Sequence, residues 1–391
     1  MKKIIFLYIY VAVALSLRAT SSAANSQYPL EFPNYLGNIE NIHPKVLFFE
    51  DGWHGYNFWM AYTPYPLGSI SAENPCIAVS NDGYNWTVPE GLENPLAFAP
   101  DGGYNSDTHL VYNADTDELE CWYRAYDIET VTDYILRRVS SDGVEWGAPE
   151  VVMPAAESRV MRLSPCVWIE NGRYRMIYSN GNYLFTTDAS PDDWQWSEPV
   201  RLNVPTTLHI WHQDVLVDPD SGAVEVLFTA YDNNGNNNAA DLYYAVADSL
   251  FGEFCSPEMI IQRSSDPMAF DHRAIYRASM VKVHGEYYVY YSCIDRDWHR
   301  YMMLSTGSPI QDIVGFNPAE LGVEAVEVFD MQVVVACGVI TITAAAGSRI
   351  IVADISGRVM ANLTADRAAV AVQPGIYVVK VNHRVVTVAV K

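Results

Sequence analysis

Apolar positions fall in short runs broken by polar stretches, and five of these runs share one design: an aromatic-rich strand ending in tyrosine. They occupy residues 58–62, 122–126, 174–178, 227–231 and 287–291, closing on Tyr62, Tyr126, Tyr178, Tyr231 and Tyr291. Successive tyrosines lie 64, 52, 53 and 60 residues apart, too far for one hairpin and suited to a four-stranded sheet. Another apolar strand precedes each one, at 43–49, 107–112, 164–169, 213–217 and 278–283. The first two are followed by one turn, Ser80-Asn81-Asp82-Gly83-Tyr84-Asn85-Trp86 and Ser140-Ser141-Asp142-Gly143-Val144-Glu145-Trp146. Repetition at this period marks radially arranged units, none of which buries its faces without its neighbours. The pattern predicts an all-β chain whose residues 27–315 form a five-bladed β-propeller, with any site where the blades converge.

The aromatic pattern stops after Gly307-Ser308-Pro309. Beyond a linker at 316–325, short Val/Ile/Ala strands alternate with turns at Gly338, Gly347, Gly357 and Pro374-Gly375. That alternation predicts a separate small β-sandwich over 326–391. At the other end, Lys2 and Lys3 precede an apolar run from Ile4 to Leu17, with small residues at Ser22-Ala23-Ala24. Residues 1–23 therefore read as a secretory signal peptide, too short in its apolar run for a membrane anchor. No other stretch is long and apolar enough to predict a transmembrane helix. A secreted or cell-surface location follows as an expectation.

The formal charge is −23. Residues 330–391 carry three aspartates against six lysines and arginines, so the negative charge belongs to the propeller region. Such a field repels phosphate backbones and argues against nucleic acid as a partner. A neutral oligo- or polysaccharide is electrostatically easier. The six cysteines are scattered, with neither a Cys-x-x-Cys pair nor a dense framework, and read mainly as buried thiols. No metal or cofactor motif is present, and a bound cation such as calcium has no motif behind it.

In a blade the innermost strand runs away from the channel mouth and the second returns to it. Strand-one starts and strand-two ends thus share one face, which collects His43, Asp107, His109, Arg162, His212, Asp214 and Arg277, with Glu73 reaching over from a loop. Carboxylates, imidazoles and guanidinium groups among aromatics suit a sugar, whose hydroxyls trade hydrogen bonds and whose ring faces stack. Asp107 and Asp214 are the candidates for acid/base work, since inner strands hold groups rigidly. His43, Glu73, His109, Arg162, His212 and Arg277 are the candidates for binding substrate. Each has a plainer reading as well: a turn carboxylate, a hydrogen-bonded core histidine, a solvated loop acid.

Two resemblances add to this. His43-Pro44-Lys45-Val46, Trp59-Met60-Ala61-Tyr62, the Ser-x-Asp-Gly-x-x-Trp turns and Gly285-Glu286-Tyr287-Tyr288-Val289-Tyr290-Tyr291 resemble the arabinanase, levansucrase and invertase group of propeller glycosidases, the furanosidase superfamily. That resemblance implies glycoside hydrolysis by paired carboxyl groups. The chain departs from it where the family places an Asp before the blade-one proline, a position held here by His43. Blades three to five begin with Ser164, Gln213 and Ala278 rather than with an acid. In the tail, Asp354-Ile355-Ser356-Gly357-Arg358 and Pro374-Gly375-Ile376-Tyr377-Val378-Val379-Lys380-Val381 resemble the C-terminal sorting domain of the type IX secretion system of Bacteroidetes. That implies the type IX machinery as a partner.

Two classes of function fit the residues. One is a glycosidase-like enzyme acting on a neutral glycan at the channel mouth. The other is a non-catalytic carbohydrate- or protein-binding propeller that has lost the family carboxylates.

Overall fold

A computed structural model describes residues 23–99, 102–155, 161–232, 239–318, 331–336, 339–355, 357–381 and 384–390. Nearly all of the expected signal peptide and most of the expected linker lie outside these residues. The chain divides into two compact units at Phe316 and Asn317. Among the described residues no helix is long and apolar enough to cross a membrane.

The first unit is built of five antiparallel sheets, each starting from its first strand in sequence. The first sheet has three strands, Asn41–Trp53, Tyr56–Pro64 and Cys76–Ser80. The others have four, opening with Gly103–Asn113, Leu163–Glu170, His209–Val217 and Ala274–Val283. Every tyrosine-ended run falls in the second strand of its sheet. These opening strands pack successively against one another, and the fifth returns to the first, closing a ring. Between adjacent sheets lie apolar layers in which Trp59, Trp122, Tyr62, Tyr123, Tyr290 and Tyr291 are almost completely buried. Large aromatics at the same strand position in each sheet fill that wedge, which is why the aromatic run repeats.

The N-terminal segment completes the fifth sheet region. Leu30 N–H donates to Met302 O at 2.7 Å, and Gly315 N–H donates to Ala23 O at 2.7 Å. The Ser-x-Asp-Gly turns are held by their own side chains. Asp82 Oδ1 accepts from the N–H groups of Tyr84 and Asn85 at 3.0 and 2.8 Å, and Asp142 does the same for Val144 and Glu145. Gly143 follows with φ +76°, where a Cβ would lie 2.1 Å from the Trp59 ring. Only glycine fits there.

The second unit is one hydrogen-bonded network of five strands. Its long pair, Val339–Asp354 and Val359–Ala371, shifts register between Thr343 and Ser348. One half of Val339–Asp354 pairs with Met331–Ala336 and the other with Gly375–Val381. Both halves contribute to one core, with Ile340, Ile342, Ile350, Val352, Val370 and Val379 buried together. The Asp354-x-x-Gly357-Arg358 motif is a turn, in which Arg358 N–H donates to Asp354 Oδ1 at 3.0 Å and Gly357 takes φ +84°.

Candidate functional site

All five opening strands break register at one level, between Ile42 and Lys45, Ser106 and His109, Leu163 and Cys166, Ile210 and Gln213, and Ile275 and Arg277. A bulge re-aims the side chains it carries. The bulged residues include His43, Asp107, Ser164, His212 and Tyr276. Three of them hold left-handed backbone without being glycine: His43 at φ +57°, Asp107 at +55° and Ser164 at +50°. Such conformations cost on the order of 1–3 kcal/mol each and persist where the surroundings demand them. Here the surroundings are the other bulges.

Asp107 is the hub and is fully buried. Its Oδ2 accepts from Arg124 Nε at 2.8 Å and from Ser106 Oγ at 3.2 Å. Its Oδ1 accepts from Ser164 Oγ at 3.0 Å and lies 3.5 Å from His43 Nε2 and 3.3 Å from His212 Nδ1. Burial alone would raise its pKa, but Arg124 and the two imidazoles hold the carboxyl well below the usual range. Asp107 is thus an anion that organises its neighbours.

The proton positions of the histidines follow from their partners. Asp107 N–H donates to His43 Nδ1 at 3.2 Å, which puts the proton of the neutral ring on Nε2, facing Asp107. Thr63 Oγ1 lies 2.9 Å from the same Nδ1. His212 Nδ1 lies 2.8 Å from Ser164 Oγ, whose own proton goes to Asp107, so this Nδ1–H donates to Ser164. The lone pair of His212 is therefore on Nε2, buried and without a hydrogen-bond partner among the described residues. Burial holds both rings below the ordinary imidazole pKa, against the pull of Asp107. Among the described residues His43 Nε2 also lacks a formal hydrogen bond, and His43, Asp107 and His212 each offer a ligand atom within 4.8 Å of the others.

Glu73 is buried beside this cluster at the end of a short 3-10 turn, Ile70–Ala72, where its carbonyl accepts from Asn105 N–H at 3.0 Å. Burial first and the Asp107 charge second push its carboxyl up to about 8, against the opposing pull of Arg124, Ser106 and Arg300. At neutral pH it holds a proton. Aromatic rings surround these groups: Tyr276 lies 5.5 Å from His43, 5.0 Å from His212, 4.9 Å from Trp211 and 6.1 Å from Tyr65. Arg124 sits over Tyr104 and Tyr126, and Arg300 over Tyr65.

Two residues further along the opening strands a second layer points into the channel, with Lys45, His109, Cys166 and Asp214. Asp214 accepts from Lys45 Nζ at 2.8 and 3.1 Å and from Met280 N–H at 3.0 Å. His109 Nε2 donates to Val167 O at 3.0 Å, leaving Nδ1 without a partner among the described residues. His109, Cys166 and Asp214 also approach within 4.8 Å, but the Lys45 ammonium already neutralises that carboxylate. This layer floors a cavity of about 760 Å³ that opens between the far ends of the first four sheets, lined by Leu47, Val111, Trp168 and Val217.

The structure therefore brings together His43, Asp107, His212 and Glu73, with Arg277 Nη1 3.7 Å from Asp107 Oδ1. It does not bring Asp214 or His109 to them; both belong to the deeper layer. Nor does Arg162 join, because it spans sheets by pairing with Asp133 and donating to Pro154 O at 3.0 Å. Asp107 and Asp214, the expected acid/base pair, thus lie in different layers, each paired with its own cation, Arg124 and Lys45. Sequence reasoning missed Arg124, Lys45 and Tyr276. Arginine inside the aromatic run Trp122-Tyr123-Arg124 was the available signal for the first.

Comparison with known proteins gives three kinds of match. Residues 320–390 match the family described as "Domain of unknown function (DUF6383)". Over 267 residues the chain is 29% identical to the A type blood N-acetyl-α-D-galactosamine deacetylase of Flavonifractor plautii, covering 54% of this chain and 35% of that protein. The match thus spans about a third of the relative's length. Among solved structures, an N-acetylgalactosamine deacetylase from F. plautii in complex with blood group B trisaccharide superposes with a TM-score of 0.63 at 22% identity, over 75% of this chain and 96% of that one. A GH32 β-fructofuranosidase from Bombyx mori gives 0.52 at 13% identity, over 94% and 82%. An exo-β-1,3-galactanase from Phanerochaete chrysosporium gives 0.50 at 10%, over 93% and 94%. These solved structures are similar in fold.

Proposed function

We propose that the chain is a glycan-acting hydrolase that removes an N-acyl group from a hexosamine, at the mouth of a five-bladed propeller made of the five sheets. The match to an N-acetylgalactosamine deacetylase supports the substrate class. The observation that carries the reaction type is the arrangement of the buried carboxyls. Glycosidic cleavage generally uses two carboxyl groups flanking the bond. Asp107 is committed to Arg124 and Asp214 to Lys45, which leaves Glu73 alone with a proton to give.

Amide hydrolysis needs one base for water and one acid for the departing amine, and the mouth holds one of each. His212 Nε2, neutral and unpartnered, takes a proton from water as its oxygen attacks the acyl carbon. Glu73 delivers its proton to the amine nitrogen as the C–N bond breaks, leaving carboxylic acid and free amine. Asp107 and Ser164 fix the His212 tautomer and orientation, the positioning role that a carboxylate plays behind a basic histidine. Trp211 and Tyr65, both partly exposed and backed by the buried Tyr276, offer ring faces on which a sugar stacks. Opposed protonation at one pH, a neutral imidazole beside a protonated carboxyl, is the requirement for such a pair.

A second reading of the same residues has one observation in its favour: His43, Asp107 and His212 are buried with one ligand atom of each within 4.8 Å of the others, and each imidazole keeps one nitrogen without a hydrogen-bond partner among the described residues. His43, Asp107 and His212 would hold a divalent cation there if the His43 proton moved to Nδ1, which would give up the bond accepted from Asp107 N–H for one donated to Thr63 Oγ1. Such an ion would supply Lewis-acid polarisation, leaving Glu73 as the acid. Incubation with oligosaccharides ending in N-acetylhexosamine, read by mass spectrometry, tests the reaction. Loss of one acetyl group supports it, and release of a monosaccharide or no change refutes it. Repeating the assay after chelation separates the two readings.

For the second unit we propose export and surface attachment through type IX machinery, which would place the protein outside the cell. The Asp-x-x-Gly-Arg and Pro-Gly-x-Tyr-x-Val segments and the apolar N-terminal run support this.

A further inference from the structure

We propose that the centre of the channel binds a small monovalent anion, a halide, on the guanidinium of Arg277. This side chain is fully buried on the opening strand of the fifth sheet, between the two layers described above. None of its three nitrogens has a hydrogen-bond acceptor among the described residues. A guanidinium carries five N–H donors, and burying it without acceptors is among the costliest things a fold can do. Something must accept from it.

The carboxylates nearby do not. Asp107 Oδ1 lies 3.7 Å from Nη1, beyond hydrogen-bonding distance, and is already served by Ser164, while Oδ2 is served by Arg124. Charges in the channel pair off as Arg124 with Asp107 and Lys45 with Asp214, each at 2.8 Å, which leaves Arg277 as the odd cation. Glu73, the remaining carboxyl, is protonated at neutral pH. The three channel histidines add no negative charge either. The centre of the channel is one anion short.

Geometry sets the kind of anion. Nη1 is the nitrogen turned toward Asp107, so the Nε–Nη2 edge is the fork left to grip a ligand through two parallel N–H bonds. Complete burial restricts the ligand to a small one. A single charge balances the count, whereas a divalent oxyanion would reverse it and cost more to dehydrate. A halide accepts N–H bonds from any direction and fits each condition. It has a route in, because the cavity of about 760 Å³ reaches Lys45, His109 and Cys166, which line the layer beneath Arg277.

The test is a crystal of the full chain grown or soaked in sodium bromide, with data collected at the bromine absorption edge. The expected result is an anomalous peak in contact with Nε and Nη2 of Arg277. A map with only a water there, or with bromide confined to the surface, overturns the proposal. In solution, the unfolding midpoint should rise saturably with chloride but not with gluconate at equal ionic strength, and Arg277→Met should lose that difference. Equal midpoints in the two salts for the unaltered chain would contradict it. If Arg277→Met does not fold, the bromide map on the unaltered chain decides alone.

Discussion

Arg124 Nε lies 2.8 Å from Asp107 Oδ2, across adjacent strands of one sheet, with both side chains out of water. That contact turns Asp107 from a candidate proton carrier into a fixed anion. Breaking a buried pair from one side leaves the other charge uncompensated, at a cost of about 3–5 kcal/mol. Asp107→Asn should therefore destabilise the first unit by that amount in urea unfolding. Asp107→Asn combined with Arg124→Met should cost less than the sum of the single changes. Additive losses would show that the two residues act independently.

Activity should follow a bell with unusual limbs. Its acid limb reports His212, held below the ordinary imidazole value by burial, and its alkaline limb reports Glu73 near pH 8. The groups facing Glu73 are Asp107, Arg124, Arg300, Ser106, Tyr65, Tyr104 and Tyr276. Glu73→Gln should lower the rate by roughly 10²–10⁴ and erase the alkaline limb. An unchanged limb would assign it elsewhere.

The same shift has a stability consequence with a definite sign. Glu73 binds its proton more tightly in the folded chain than in the unfolded one, where the ordinary value is 4.5. Its contribution is complete below pH 4.5 and is lost as pH rises through about 8. Glu73→Gln should therefore gain stability relative to the unaltered chain on moving from pH 6 to pH 9, measured by thermal unfolding at matched ionic strength. A constant difference across that range would contradict the assignment.

Two glycines separate backbone strain from crowding. Gly143 and Gly172 both have left-handed φ, at +76° and +72°, but only Gly143 would drive a Cβ into Trp59. Gly172→Ala should cost about 1 kcal/mol from the backbone alone. Gly143→Ala should cost about 2–4 kcal/mol, because overpacking adds to strain. Similar losses in urea would mean that the aromatic wedge yields more easily than its packing implies.

The tail proposal predicts a trafficking defect. In a host with a type IX system, deleting residues 326–391 should strand the protein in the periplasm, read by fractionation. Normal secretion of the shortened chain would remove the export role.

Much of the architecture was legible because packing between sheets demands the same aromatic run at the same strand position each time. The site was legible only in part. His43, Asp107 and His212 could be placed at strand entrances from spacing alone, but the bulges that turn them toward one another leave little trace beyond Pro44 and Pro165. Depth was invisible as well. Two residues along a strand amount to about 7 Å, so His212 and Asp214 face the same channel at different levels. Pairings across the ring, such as Lys45 with Asp214, join residues from different sheets, and no local pattern announces them.

The central claim is that His212 and Glu73 act as base and acid on an N-acyl group, with Asp107 behind them. The most direct measurement is acetate release from an N-acetylgalactosamine-terminated oligosaccharide by the unaltered chain, His212→Ala and Glu73→Gln, each checked for folding. The account predicts one acetate per sugar end with the glycan chain intact, and a loss of at least about 10² in both variants. Cleavage of the glycosidic bond by the unaltered chain, or full acetate release by either variant, would contradict it.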